Sequence, residues 1–222
     1  MIKDRTSFFS YLLYSSLLFL CYFIIGIIVK LNFYPTLKFE NIWDIEHYFW
    51  IKENGYNGFR VVFFPLFPLI WKVSTLSLLG ISIFNGSIFL ISVSYFSSVI
   101  KPPKSSFLLL ISIFSSMFYF MPYSESVFYV SIVFSCLTLY LNKKSFSLGF
   151  FTASLTRPAS TILIPAILLL AFRENVISKN RNSNSIFIRL IIATVIGLII
   201  IIIANYITTS NPFSFYINQK IW

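Results

Sequence analysis

Long apolar runs separated by short polar breaks set the plan of this chain. Phe8–Val29 is the first such run. It exceeds the roughly 7–15-residue core of a signal peptide, and no small-residue cleavage site follows it, so it reads as a retained transmembrane helix. Val61–Leu79 is apolar but broken by Pro65, Pro68 and Lys72: either it crosses fully, which puts the basic 101–104 loop outside, or it is partly re-entrant, which keeps that loop inside and is preferred by the positive-inside rule. Ile81–Ile100 is a second full run, and the KPPK stretch at 101–104 is a loop. Phe107–Met121 and Val127–Leu141 follow, divided by Pro122 and the polar turn Tyr123-Ser124-Glu125. Phe146–Phe172 carries Arg157-Pro158 near its middle, and the proline predicts a hairpin of two short half-spans. Arg173–Ser185 reads as a loop, Ile186–Tyr206 as the most apolar span, and 208–222 as a polar-aromatic tail. The expected fold is all-α, a polytopic transmembrane helical bundle forming a single module over 1–222.

The polar stretch at 30–60, between the first run and the broken one, is the expected outer loop. Within it, Asn41–Asn54 has helical spacing: Asp44, His47 and Ile51 fall at i, i+3 and i+7 and share a face. Trp43, Tyr48, Phe49 and Trp50 suit an interfacial helix, and Gly55 and Gly58 end it.

Composition agrees with a membrane setting. The chain is 57% hydrophobic and 11% charged, against about 25% charge in a soluble domain, and its mean hydropathy is +0.83. The net charge of +10 comes from basic residues at the ends of apolar runs, among them Lys3, Arg5, Lys101, Lys104, Lys143, Lys144 and Arg173. That placement fixes orientation and attracts anionic head groups. No nucleic-acid motif is interleaved with it, so nucleic acid is excluded as a partner and membrane lipids are expected. The basic start places 30–60 outside the cytoplasm. Cys21 and Cys136 lie inside apolar runs and there is one histidine, too few ligands for a His/Cys zinc site. No metal and no cofactor is expected.

The chain has only seven acidic residues, and three of them, with the single histidine, lie in the short stretch of Asp44, Glu46, His47 and Glu53. Ionisable groups between membrane spans mark a functional site. A carboxylate beside a sugar hydroxyl can take its proton as a glycosidic bond forms. Asp44 is the candidate base, Glu46 and His47 tune it or hold the acceptor, and Trp43 and Tyr48 contact substrate. Asp44 also suits a helix N-cap, and the two roles are compatible. Tyr123, Ser124 and Glu125 form a polar island that is either a solvated turn or an acceptor site. Arg157 in Thr156-Arg157-Pro158 matches phosphate oxygens with its fork, or pairs with Glu125. On the phosphate reading it shares a cavity with Asp44. Gln219 and Trp222 contact substrate, and Lys220 assists a phosphate or snorkels at a membrane edge.

Taken in order, these pieces resemble the PIG-V family of glycosylphosphatidylinositol mannosyltransferases and its prokaryotic relatives, within the GT-C glycosyltransferases. The matching residues are Trp43-Asp44, His47-Tyr48, Gly55-Tyr56, Phe63-Phe64-Pro65-Leu66-Phe67-Pro68, Tyr123-Ser124-Glu125-Ser126, Thr156-Arg157-Pro158, and Asn211-Pro212 with Phe215, Gln219 and Trp222. The resemblance implies a GT-C-like bundle and a polyprenyl- or dolichyl-phosphate sugar donor, usually of mannose. It implies inverting transfer outside the cytoplasm to a lipid-linked or glycan acceptor. It assigns the base to Asp44 and places Arg157 by the donor phosphate. Such donors need no Asp-x-Asp pair, and the sequence has none.

Family members continue through further spans after the Gln…Trp motif, so a C-terminally truncated chain, with a partner subunit supplying the missing spans, is also expected. The alternatives are a non-catalytic truncated homologue and a transport or lipid-binding subunit. The implied location is a multi-pass membrane protein of the plasma membrane in a bacterium or archaeon, or of the endoplasmic reticulum in a eukaryote. This topology predicts that a cysteine at position 44, with Cys21 and Cys136 replaced by serine, reacts with an impermeant thiol reagent in intact cells. Labelling only after lysis would reverse the orientation.

Overall fold

The computed structural model describes residues 5–33, 44–112, 118–140, 145–162 and 181–221, with 165 and 169 as isolated positions. Every regular element among them is helical. The α-helices are α1 (Arg5–Phe33), α2 (Asp44–Asn54), α3 (Leu66–Ser74), α4 (Leu78–Ile100), α5 (Lys104–Ser112), α6 (Glu125–Tyr140), α7 (Phe146–Thr156), α8 (Arg181–Thr209) and α9 (Ser214–Asn218). Short 3-10 helices lie at Gly58–Val62, Pro158–Ile162 and Gln219–Ile221. Among the described residues, three stretches are long and apolar enough to cross a membrane: Thr6–Ile25, Leu78–Ile100 and Ile188–Thr209. Helices suit this composition because they satisfy their backbone groups internally, which an apolar medium demands.

The chain divides into two compact units. The first comprises Met1–Phe49 and Thr75–Ser126. Here α1 packs on α4 and α5. Ser15 Oγ lies 3.3 Å from Ser94 Oγ, and Tyr11 donates from its hydroxyl to the Pro102 carbonyl at 2.8 Å. Phe19 stacks on Phe120 at 4.0 Å and Phe89 on Tyr119 at 4.3 Å. Ser77 caps α4 by accepting the Gly80 N–H at 3.1 Å. Lys101, with φ 55, closes its C-terminus in the left-handed region.

The second unit comprises Trp50–Ser74 and Val127–Trp222. Its densest packing is α7 against α8. There Gly197 of α8 faces α7, whose Ser154 is fully buried. A Cβ at Gly197 would lie 2.8 Å from Ser154 Cβ and overlap its hydroxyl. Likewise Gly149 lies so close to α6 that a Cβ would collide with the Ser131 carbonyl. Small residues let helix backbones approach in this way, and dispersion then holds them. The α3 helix packs on α7, and α9 packs on the 3-10 helix Gly58–Val62, with Phe64 meeting Phe215 edge-on at 5.9 Å.

Several boundaries differ from the hydropathy pattern. The first helix runs four residues past Val29, to Phe33, because Lys30 and Asn32 do not break a helix. The last long helix begins at Arg181, inside the expected 173–185 loop, since polar residues extend a helix beyond its apolar span. The segment 61–79 becomes the end of a 3-10 helix and the 9-residue α3. At 1.5 Å per residue α3 is far short of the roughly 30 Å hydrocarbon core, so this segment does not cross as one helix. The second half of the 146–172 hairpin lies largely outside the described residues.

Gly197→Ala should overpack the α7–α8 contact. Overpacking costs about 1–3 kcal/mol, so thermal unfolding in detergent is expected roughly 2–10 °C below wild type. Adding Ser154→Ala should recover part of that loss. An unchanged transition in Gly197→Ala would show that the contact is looser than described.

Candidate functional site

In the first unit the site grows from the break at Pro122. The chain leaves a 3-10 turn at 118–120, passes Pro122 and enters α6 at Glu125. Between these the backbone carbonyls lack helical partners. Asn85, fully buried on α4, supplies them: its Nδ2 donates to the carbonyls of Met121 at 2.6 Å and Tyr123 at 2.9 Å. Ser126 donates from its hydroxyl to the Tyr119 carbonyl. The polar turn is thus fixed to α4.

The α2 helix is tied to the same turn. Tyr48, buried, donates from its hydroxyl to Ser124 Oγ at 2.8 Å. Asp44 is the first residue of α2 and is half-buried, while Glu46 is exposed. Both acids lie in the first helical turn, where the helix dipole favours negative charge. His47 is half-buried on the Asp44 face, and Ile51 on that face is buried.

The Tyr123 hydroxyl, buried and without a hydrogen-bond partner among the described residues, reports the electrostatics. Its pKa is driven well above the ordinary tyrosine value, first by burial, then by the charges of Asp44 and of Glu125. Glu125 is a near neighbour in sequence. Asp44 comes from a different helix, α2, which the Tyr48–Ser124 bond ties to the turn. Asp44, Tyr48, Tyr123, Ser124 and Glu125 therefore form one cluster. Chemically it offers carboxylates, hydroxyls and aromatic faces, the groups that bind polyols and move protons.

The other expected residues belong to the second unit. The α7 helix stops at Thr156, and Arg157, half-buried, is extended with φ −151 and ψ 147. Pro158 imposes that conformation on the residue before it. The Arg157 carbonyl accepts from the Ser160 N–H at 3.3 Å and hydroxyl at 3.0 Å. Gln219 and Lys220 are exposed on the final 3-10 turn. Trp43 and Trp222 lie outside the described residues. A cleft of about 260 Å³, open to its surroundings, is lined by Tyr56, Val61, Phe63, Pro65, Ile201 and Asn205 among others. None of the expected catalytic residues lines it.

Two residues escape a reading of the sequence. Asn85 is a lone amide inside an apolar run, and its polarity at that depth is the signal that could have found it. Arg60 sits at a loop edge, where a cation reads as solvated. Its guanidinium instead lies over the rings of Trp50 at 4.5 Å and Phe59 at 5.1 Å. Compared with known proteins, the chain matches no family model, no curated protein and no solved structure.

The raised Tyr123 pKa has a defined consequence for stability. Because the folded value exceeds the unfolded one of about 10, Tyr123 contributes stability below that pH and loses it as pH climbs through the folded value. Tyr123→Phe should unfold near the wild-type temperature at pH 7, and lose less stability than wild type between pH 8 and 11. Parallel losses in the two proteins would mean that Tyr123 is not held in its neutral form.

Proposed function

We propose that this protein is a membrane glycosyltransferase of GT-C-like architecture. It transfers a sugar, mannose on the PIG-V resemblance, from a polyprenyl-phosphate donor to a lipid-linked or glycan acceptor on the extracytoplasmic side. The acceptor oxygen attacks the anomeric carbon as the bond from that carbon to the phosphate oxygen breaks. The acceptor proton passes to Asp44, and the phosphate leaves with the electron pair. Attack opposite the leaving phosphate inverts the anomeric centre. Tyr123 and Glu125 hold acceptor hydroxyls, and His47 and Glu46 adjust the base.

One observation carries this reading. Asp44 and the Tyr123–Glu125 turn, far apart in sequence, meet in one cluster fixed by Tyr48–Ser124 and by Asn85. A half-buried carboxylate beside hydroxyl and aromatic groups has the composition of a sugar-handling general base.

Asp44→Asn removes the charge with little change of shape. In proteoliposomes supplied with radiolabelled polyprenyl-phosphate mannose and an acceptor extract, it should slow transfer by about 10²–10⁴-fold, the usual contribution of a general base. Expression and unfolding temperature should stay near wild type. Transfer within about threefold of wild type removes Asp44 as base.

A further inference from the structure

The second unit carries a cation whose surroundings do not explain it. Arg60, half-buried on the 3-10 helix Gly58–Val62, has its guanidinium carbon over the Trp50 ring and beside the Phe59 ring. Its Nε is buried with no hydrogen-bond partner among the described residues. The described part of this unit holds one carboxylate, Glu53, and Lys52 occupies it at 2.6 Å. The same unit holds the cations Lys52, Arg60, Lys72, Arg157, Arg189 and Lys220. A buried guanidinium N–H without an acceptor is costly, and more so on a charged group. Stacking on indole restrains the fork and leaves its edge for a planar or tetrahedral anion. The 3-10 turn Gln219–Ile221, which bears Lys220, packs against the helix that bears Arg60.

We infer that Arg60, held over Trp50 and supported by Lys220, is a phosphate-binding subsite. Its ligand is a phosphate group, either the head of an isoprenyl phosphate or free phosphate. On the glycosyltransferase reading, on which the lipid form of this ligand rests, it is a donor-phosphate contact that the sequence pattern does not reveal. The fork donates through the guanidinium edge to two phosphate oxygens, and the ammonium of Lys220 adds a point charge. Trp50 fixes the geometry by shape, so Arg60→Lys keeps the charge but loses both the stacking and the fork.

The test uses the full chain in phosphatidylcholine nanodiscs without anionic lipid. Farnesyl phosphate, farnesol and inorganic phosphate are titrated separately, and bound ligand is measured by equilibrium retention. Wild type is expected to bind farnesyl phosphate and not farnesol. Arg60→Gln should weaken binding by roughly tenfold or more, with Arg60→Lys and Lys220→Gln intermediate. Lys72→Gln removes an equal charge from the exposed face of α3 and should leave binding unchanged. The unfolding temperature of each variant is measured alongside, and Arg60→Lys serves where Arg60→Gln does not fold. Displacement of farnesyl phosphate by inorganic phosphate at comparable concentration assigns the subsite to free phosphate. Persistence of the bound lipid assigns it to a lipid-linked phosphate. Equal affinity in wild type, Arg60→Gln and Arg60→Lys overturns the inference, as does a loss in Lys72→Gln matching that in Arg60→Gln. Absent transfer by the wild-type protein together with Arg60-dependent binding defeats the catalytic reading and leaves the subsite intact.

Discussion

The structure depends on one constraint: polar groups within apolar helices must find partners close at hand. Serine and threonine hydroxyls meet it by donating one turn back along their own helices. Ser15 bonds the Tyr11 carbonyl at 2.9 Å, Ser131 that of Val127 at 2.7 Å, Thr156 that of Thr152 at 2.7 Å and Thr194 that of Leu190 at 3.0 Å. With hydroxyls satisfied locally, attraction between helices falls mainly to shape. That is why Gly149 and Gly197 stand where neighbouring helices come closest.

At the 121–126 turn the constraint is met differently. Pro122 interrupts the helical ladder, and the Met121 carbonyl accepts the Tyr123 N–H at 2.7 Å in a tight turn rather than a helical partner. Asn85 donates to the Met121 and Tyr123 carbonyls from a neighbouring helix. The same interruption brings Ser124 to the Tyr48 hydroxyl of α2. A packing solution and a cluster of reactive groups thus share one cause. The Tyr123 hydroxyl and the Asn85 Oδ1 are buried there without a hydrogen-bond partner among the described residues.

Much of this was legible in the sequence, because it follows from periodicity and from proline. The helical fold, the long apolar runs at either end, the helix ending at Gly55 and the break at Arg157-Pro158 are all written in residue type. Gly55 and Gly58 do have positive φ, at 80 and 54, as helix-ending glycines require. The grouping of Asp44 with Glu125 is only half legible, since polarity marks both segments but their convergence depends on tertiary packing. Helix ends were less visible: Lys30 and Arg181 are polar yet helical, and hydropathy cannot tell the end of a helix from the end of its apolar stretch. Arg60 was hidden because a loop cation has no local signature of the ring it rests on.

The inward habit of the hydroxyls bears on how such a chain is made. A helix whose serines and threonines already bond their own carbonyls can enter lipid singly, carrying no exposed donor that must wait for a neighbour. Thr6–Ile25, Leu78–Ile100 and Ile188–Thr209 are in that sense self-sufficient during synthesis. Exceptions include Tyr11 on the first, whose hydroxyl donates to the Pro102 carbonyl, and Asn85 on the second. The Asn85 amide acquires its two acceptors only when residues 121–123 have emerged, 36 and 38 positions later. Until then the ribosome is extending a chain whose second apolar helix holds an unanswered polar group, so the order of synthesis itself sets when that helix can settle.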